Sequence, residues 1–318
     1  MIGAMAGRMP AGPLTIVGSG DDAAVVAAPS GSVVATVDLV LEGRHFLRSW
    51  SSAYDVGVKA AARSLADVAA MGAVPTALLV ALAAPGTLSA SWALELADGL
   101  AYEAGRAGAG VAGGDIARAD SVLLSVTGLG DLAGRPPVRR SGAAPGDTVA
   151  VAGLVGHSAA GYALLTAGAD SCPELVAAHL RPAPPYEAGP EAALLGATAM
   201  IDVSDGLVAD LGHLAEASGV AIDIDSSGLA LGGPLAEAAG LVFGAGSSLS
   251  GTQVADSPAS LALQWALAGG EDHSLVATFP PAVRLPPRWR VIGAVRAGRG
   301  VTVDGQPHGG PGGWEHFR

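Results

Sequence analysis

The sequence predicts a mixed α/β chain folded as two halves. Short apolar runs of strand length alternate with longer alanine-rich runs of helical length. A chain of 318 residues can bury two cores of ordinary size. Between the halves, residues 134–146 concentrate proline, glycine and arginine, as a boundary segment does.

In chain order, strands are expected at 32–37, 77–83, 121–130, 148–152, 221–224, 274–279 and 290–295. Each is a run of β-branched or small apolar residues closed by turn formers. Helices are expected at 53–71, 89–107, 158–167, 187–195 and 206–217, where alanine, leucine and charged residues recur at helical spacing. Residues 244–258 are rich in glycine and serine and read as a surface loop. Residues 68–94 carry no charge, but Gly72, Pro75, Pro85 and Gly86 break them up. They read as helix end, turn and buried strand, too interrupted for a membrane span.

Composition narrows the function. Half the residues are hydrophobic, so the chain can offset its ordering entropy and is not disordered. Its 47 glycines follow no three-residue period, which excludes collagen. The net charge of −12 repels nucleic-acid backbones and anionic membranes. Arginine carries almost all the positive charge, and Lys59 is the single lysine. One cysteine, Cys172, excludes a disulfide framework and a cysteine-rich metal site. The first residues lack the basic-then-apolar order of a signal peptide. The expectation is a soluble, cytoplasmic protein.

Aspartates tend to fall where an apolar run ends beside glycine or another turn residue: Asp22, Asp38, Asp67, Asp115, Asp202 and Asp205, with Glu271 and Asp272 later. Any one of them alone would be a cap or turn residue. Together they outnumber that use, and a buried carboxylate needs a donor, an arginine or a metal. Hard oxygen ligands without cysteine or paired histidine suit Mg²⁺ rather than Zn²⁺. Mg²⁺ held by a few carboxylates generally shares its shell with phosphate oxygens. The residues therefore point to a Mg²⁺-dependent phosphate site. Arg139 and Arg140 at the boundary either clamp phosphate or are solvated linker charges. Lys59, Arg63 and Asp67 share one helix face, as a surface ladder or as a face turned to the carboxylates. Ser158 follows a glycine at a helix start, where it caps the helix or helps hold an anion. No P-loop, protein-kinase signature or G-x-S-x-G elbow occurs.

The ordered motifs resemble the bacterial thiamine-monophosphate kinase family, of the superfamily that includes aminoimidazole ribonucleotide synthetase. The carriers are GDDAAVV (20–26), TVDLVLEGRHF (36–46), SLADVAAMGAVP (64–75), GGD (113–115) and RSGAAPGD (140–147). SAAGYALL (158–165), HLRPAPP (179–185), IDVSDGL (201–207), GGEDHSL (269–275) and GGWEHF (312–317) continue the series. Each segment is weak alone; in this order they are specific.

The resemblance implies transfer of the γ-phosphoryl group of ATP to thiamine monophosphate, giving thiamine diphosphate. It implies an N-terminal domain, 1–140, that binds ATP and Mg²⁺ and pairs into a homodimer around a shared sheet barrel. A C-terminal α/β domain, 141–318, completes the active site. By position, Asp22, Thr36, Asp38, Asp67, Asp115, Asp202 and Asp205 match the family's Mg²⁺ ligands. Gly114, Arg140 and Ser204 match its nucleotide contacts, and Asp38, Asp115 and Arg140 carry the catalytic load. His45, Glu271 and Trp314 match the residues that hold thiamine monophosphate. Val37 stands where the family has a hydroxyl before its aspartate, so that contact falls to Thr36, a carbonyl or water. His157, His273 and Ser274 also depart from the usual pattern. Selenophosphate synthetase and the hydrogenase-maturation relative would want cysteines that this chain lacks. Another ATP-using superfamily member and a silent nucleotide-binding homologue are the remaining alternatives.

Overall fold

A computed structural model describes the chain except for residues 1–3, 6, 11, 19–22, 170, 245–254, 309–311 and 314–318. It divides into two compact units, Met1–Pro137 and Val138–Arg318.

In the first unit, β1 (Thr15–Val17) and β2 (Val25–Val26) form a small antiparallel pair. There follow β3 (Val34–Leu41), helix α1 (Ala53–Ala70), β4 (Val74–Ala84), helix α2 (Ala90–Arg106), β5 (Gly110–Arg118) and β6 (Leu123–Asp131). The four longer strands make one sheet in the order β3-β6-β4-β5. Only β4 and β5 run parallel. Helix α1 starts in a complete capping box, Ser52 with Asp55, which satisfies two otherwise orphan backbone donors. Gly57 and Gly99 let α1 and α2 touch. A Cβ on Gly57 would sit 2.3 Å from the Leu96 carbonyl oxygen, and one on Gly99 2.2 Å from that of Tyr54. The side chains of β3 alternate strictly: Thr36, Asp38 and Val40 turn inward, while Val37 and Leu39 are 63% and 49% exposed.

The second unit holds a seven-stranded sheet, ordered β13-β12-β9-β11-β7-β10-β8. Its strands are β7 (Thr148–Ala152), β8 (Ala199–Val203), β9 (Ala221–Ile224), β10 (Ser274–Phe279), β11 (Trp289–Arg296), β12 (Gly300–Val303) and β13 (Gln306–Pro307). Its helices are α3 (His157–Ala167), α4 (Pro173–Leu180), α5 (Ala188–Leu195), α6 (Leu207–Ser218), α7 (Pro234–Gly244) and α8 (Pro258–Ala268). One core joins Val149, Ile201, Val203, Leu211, Ile222 and Val276. A second gathers Leu164, Leu175, Leu235 and Trp265 between the helices. Strands β8 and β10 are buried along their whole length.

The expected strands at 148–152, 221–224 and 274–279 have the observed bounds. Strands β1, β2, β5, β8, β12 and β13 and helices α4, α7 and α8 are additions to the expected set. The expected loop at 244–258 lies mostly outside the described residues. Among the described residues no helix is long and apolar enough to cross a membrane.

Candidate active site

The first unit positions its acidic residues from β3, α1 and β5. Thr36 on β3 donates its hydroxyl proton to Asp67 Oδ2 on α1 at 2.7 Å. Ser64, one turn earlier on α1, lies 2.8 Å from Asp38 Oδ2 and 3.0 Å from the Val126 carbonyl oxygen. The Arg63 guanidinium stands 3.9 Å from the other Asp38 oxygen. Each half-buried carboxylate thus has the donor that its burial demands. Helix α1 can come this close because Gly128 on β6 faces it; a Cβ there would sit 2.9 Å from the Ser64 carbonyl oxygen. The face carrying Lys59, Arg63 and Asp67 is therefore turned to the carboxylates rather than forming a surface ladder.

Asp115 lies elsewhere on the sheet. Strand β5 carries one extra residue between its pairings with Leu78 and Leu79, a bulge directly before Gly113. Gly114 then passes β4 so closely that a Cβ would sit 1.9 Å from the Val80 carbonyl oxygen. Across the sheet Gly114 aligns with Val80, Val126 and Asp38, and Asp115 with Ala81, Ser125 and Leu39. Asp115 and Asp38 are three strand spacings apart, about 14 Å, and alternate to opposite faces. Val37 likewise points away from Asp38, so a hydroxyl at that position would face the open side of the sheet.

His45 sits in the turn after β3. The Leu41 N–H donates to His45 Nδ1 at 3.0 Å, so the neutral ring carries its proton on Nε2. The buried Lys59 ammonium donates to the His45 carbonyl oxygen at 3.1 Å.

In the second unit, β8 carries Asp202 just before its last residue, Val203, and Ser204, Asp205 and Gly206 turn the chain into α6. Asp210, one turn into that helix, accepts from all three N–H groups of this turn at 3.0 to 3.1 Å. Burial first, then the charge of Asp202, pushes the Asp210 carboxyl up to about 7. The loop before β10 docks onto the same turn. Glu271 N–H donates to the Ser204 carbonyl and His273 N–H to that of Val203, each at 2.8 Å. Both residues have positive φ, 67° and 52°, a conformation that side chains disfavour. The buried His273 ring places Nδ1 3.2 Å from Asp202 Oδ2. Gly312 accepts from Ala209 N–H at 2.8 Å, so the chain just before 314 also reaches the start of α6.

Between Glu271 and His273, Asp272 turns away from this cluster. It accepts from Gly156 N–H at 2.6 Å and Ser158 N–H at 2.8 Å, capping α3. Burial pushes its carboxyl up to about 7 against the pull of those backbone donors. The anion position at this helix start, left open by the sequence, is filled by the protein's own carboxylate. Ser158 Oγ and His179 Nδ1 share a hydrogen bond at 3.1 Å.

The structure thus brings Thr36, Asp38 and Asp67 together in one unit, and Asp202, Ser204, Asp205 and Glu271 in the other. The Arg140 carbonyl is held by Ser218 Oγ at 3.0 Å, at the C-terminal end of α6. Ser204 and Asp205 stand at the other end of that helix, about 18 Å along its axis at 1.5 Å per residue. Asp22 and Trp314 lie outside the described residues. Sequence reasoning missed the supporting roles of Ser64, Asp210 and His273. Asp210, one turn after a glycine bend, had a readable local signal; a serine in mid-helix had none.

The donor set consists of hydroxyl and carboxylate oxygens, the chemistry that Mg²⁺ prefers. Among the described residues no three histidine, cysteine or acidic side chains converge on a point that could hold a metal. Pairs of carboxylates suit an ion that completes its shell with phosphate and water.

Comparison with known proteins agrees with these features. Residues 20–132 match the family described as AIR synthase related protein, N-terminal domain. A thiamine-monophosphate kinase of Mycobacterium tuberculosis is 46% identical over 311 residues, covering 98% of this chain and 88% of its own. The crystal structure of thiamine-monophosphate kinase from Stenotrophomonas maltophilia K279a superposes with a TM-score of 0.79 at 32% identity, covering 93% of each chain. AaThiL complexed with AMPPCP and TMP superposes equally well, with a TM-score of 0.79, at 34% identity over 93% of this chain and 91% of that one. With that identity sustained along nearly its whole length, the chain belongs to the thiamine-monophosphate kinase family.

Proposed function

We propose that this protein transfers the γ-phosphoryl group of ATP to the phosphate of thiamine monophosphate, yielding thiamine diphosphate and ADP. The observation that carries the reading is the family membership, together with a relative that binds AMPPCP and TMP in the same fold. The hydrogen-bonded carboxylates of β3, α1 and β8 supply the acidic residues that such a reaction uses.

Phosphoryl transfer asks little covalent chemistry of a protein; positioning and charge compensation do most of it. The acceptor is already an anionic phosphate oxygen, so transfer is direct and in line, with no phospho-enzyme and no strong base. Asp22, Thr36, Asp38, Asp67, Asp115, Asp202 and Asp205 would hold Mg²⁺. That ion, when bound, offsets charge on the ATP phosphate oxygens. Gly114 and Ser204 would contact the nucleotide. Arg140 carries part of the charge developing on the transferred group. His45 donates from Nε2 to the acceptor phosphate. Glu271 offsets the thiazolium charge, and Trp314 stacks on the cationic ring.

The exposed face of the four-stranded sheet, with Val37 and Leu39 on β3, supports pairing of two copies through this unit. The net charge of −12 argues against nucleic acid and anionic membranes as partners. The thiol of Cys172, free and buried, fits a reducing cytoplasm.

A coupled assay with ATP, Mg²⁺ and thiamine monophosphate tests the reading. ADP release should depend on thiamine monophosphate and match thiamine diphosphate formed. Release that ignores the acceptor, or none at all, overturns it.

A further inference from the structure

Lys59 is the single lysine in a chain whose positive charge is otherwise arginine. It is 2% exposed, on the same helix as Ser64 and Asp67. An ammonium so deeply placed carries a desolvation cost that a merely solubilising charge would avoid.

One hydrogen bond of its ammonium goes to the carbonyl of His45, in a turn that other contacts already tighten. His45 N–H donates to the Leu41 carbonyl at 3.0 Å, and Gly43 N–H to that of Phe46 at 2.9 Å. Leu41 N–H holds the His45 ring through Nδ1. Lys59 adds a charge-assisted bond from the helix, so ring and backbone of His45 are both fixed. A compact ammonium suits one carbonyl in so confined a place, where a planar guanidinium would need room for its fork.

We propose that Lys59 is a positioning residue for the acceptor substrate: it holds the His45 turn against α1 so that Nε2–H meets the phosphate of thiamine monophosphate. The inference rests on the proposed function and on the role of His45 within it.

Because the chain has one lysine, protein labelled with [13Cε,15Nζ]-lysine gives one lysine side-chain signal. That signal should shift when thiamine monophosphate is titrated in with Mg²⁺ present, and shift much less in His45→Ala. Calorimetry run alongside separates the failures. Binding with an unmoved lysine signal overturns this inference alone, whereas no binding overturns the function and this inference with it. In steady-state kinetics Lys59→Met should raise KM for thiamine monophosphate at least tenfold and leave KM for ATP within twofold. Lys59→Gln, which can still donate to the carbonyl, should stay within threefold of wild type. Equal rises in both KM values, an unchanged KM in Lys59→Met, or equal damage from Gln and Met would each refute the role. If Lys59→Met does not fold, the wild-type titration decides.

Discussion

Ser64 and Asp38 face each other across the α1–β3 contact, 2.8 Å apart, with the serine side chain wholly buried. The same oxygen lies 3.0 Å from the Val126 carbonyl, so one hydroxyl ties the helix, the inner strand β6 and the Asp38 carboxylate together. Removing it in Ser64→Ala should cost about 1 kcal/mol of stability. The rate should fall roughly tenfold, with more Mg²⁺ needed for half-saturation, as happens when a ligand loses its supporting hydrogen bond. Mg²⁺ titrations of both proteins check this; identical curves would remove Ser64 from the account.

Asp38 and Asp115 occupy different faces of the same sheet, yet each is assigned to the metal. Asp→Asn at either position should lower kcat by orders of magnitude while the fold survives. Near-wild-type turnover in both variants, with circular dichroism unchanged, would overturn the assignment. A trapped phosphoprotein would sink direct transfer.

Gly114→Ala places a methyl group 1.9 Å from the Val80 carbonyl oxygen, which neither backbone can yield without breaking the β4–β5 pairing. A loss on the order of 3 kcal/mol is expected. A thermal melt within a degree of wild type would show that the strands can separate there.

Asp272 provides a pH signature. Its folded carboxyl is raised to about 7, above the ordinary aspartate value near 4. A raised value means that the protonated form is the one folding favours. The contribution is complete below pH about 4 and fades as pH climbs through about 7. Melting temperatures measured from pH 4 to 8 should therefore decline more steeply in wild type than in Asp272→Asn. Parallel curves would mean that the carboxyl titrates alike in both states.

Glu271 sits at φ 67°, where a side chain costs about 1 kcal/mol and glycine does not. Glu271→Gly should melt no lower than wild type yet show a raised KM for thiamine monophosphate. A lower melting point with unchanged KM would make this residue a structural one.

Much of this architecture was legible in the residues themselves. Strands β7, β9 and β10 are short, mainly apolar runs of strand length, and the structure keeps their bounds. Strand β5 was hidden because Gly113, Gly114 and Asp115 interrupt its apolar character, and the reason for Gly114 is its close contact with β4. Helices α4 and α8 begin with proline at their first position, a start signal outweighed by the glycine- and serine-rich sequence before α8. The acidic residues announced themselves by recurring within or at the ends of apolar runs. Their hydrogen-bond partners did not, because Thr36, Ser64 and His273 find them only through pairings 31, 26 and 71 residues distant.

The burial of Lys59 has a practical side. A lysine-specific protease has a single cleavage point in this chain, after Lys59, and the native helix conceals it. Cleavage then requires α1 to open, and it yields two fragments of unequal length. The cutting rate becomes a direct gauge of how often this helix leaves the sheet. Amine-reactive labels meet the same barrier, so in the folded protein they are steered to the α-amino group.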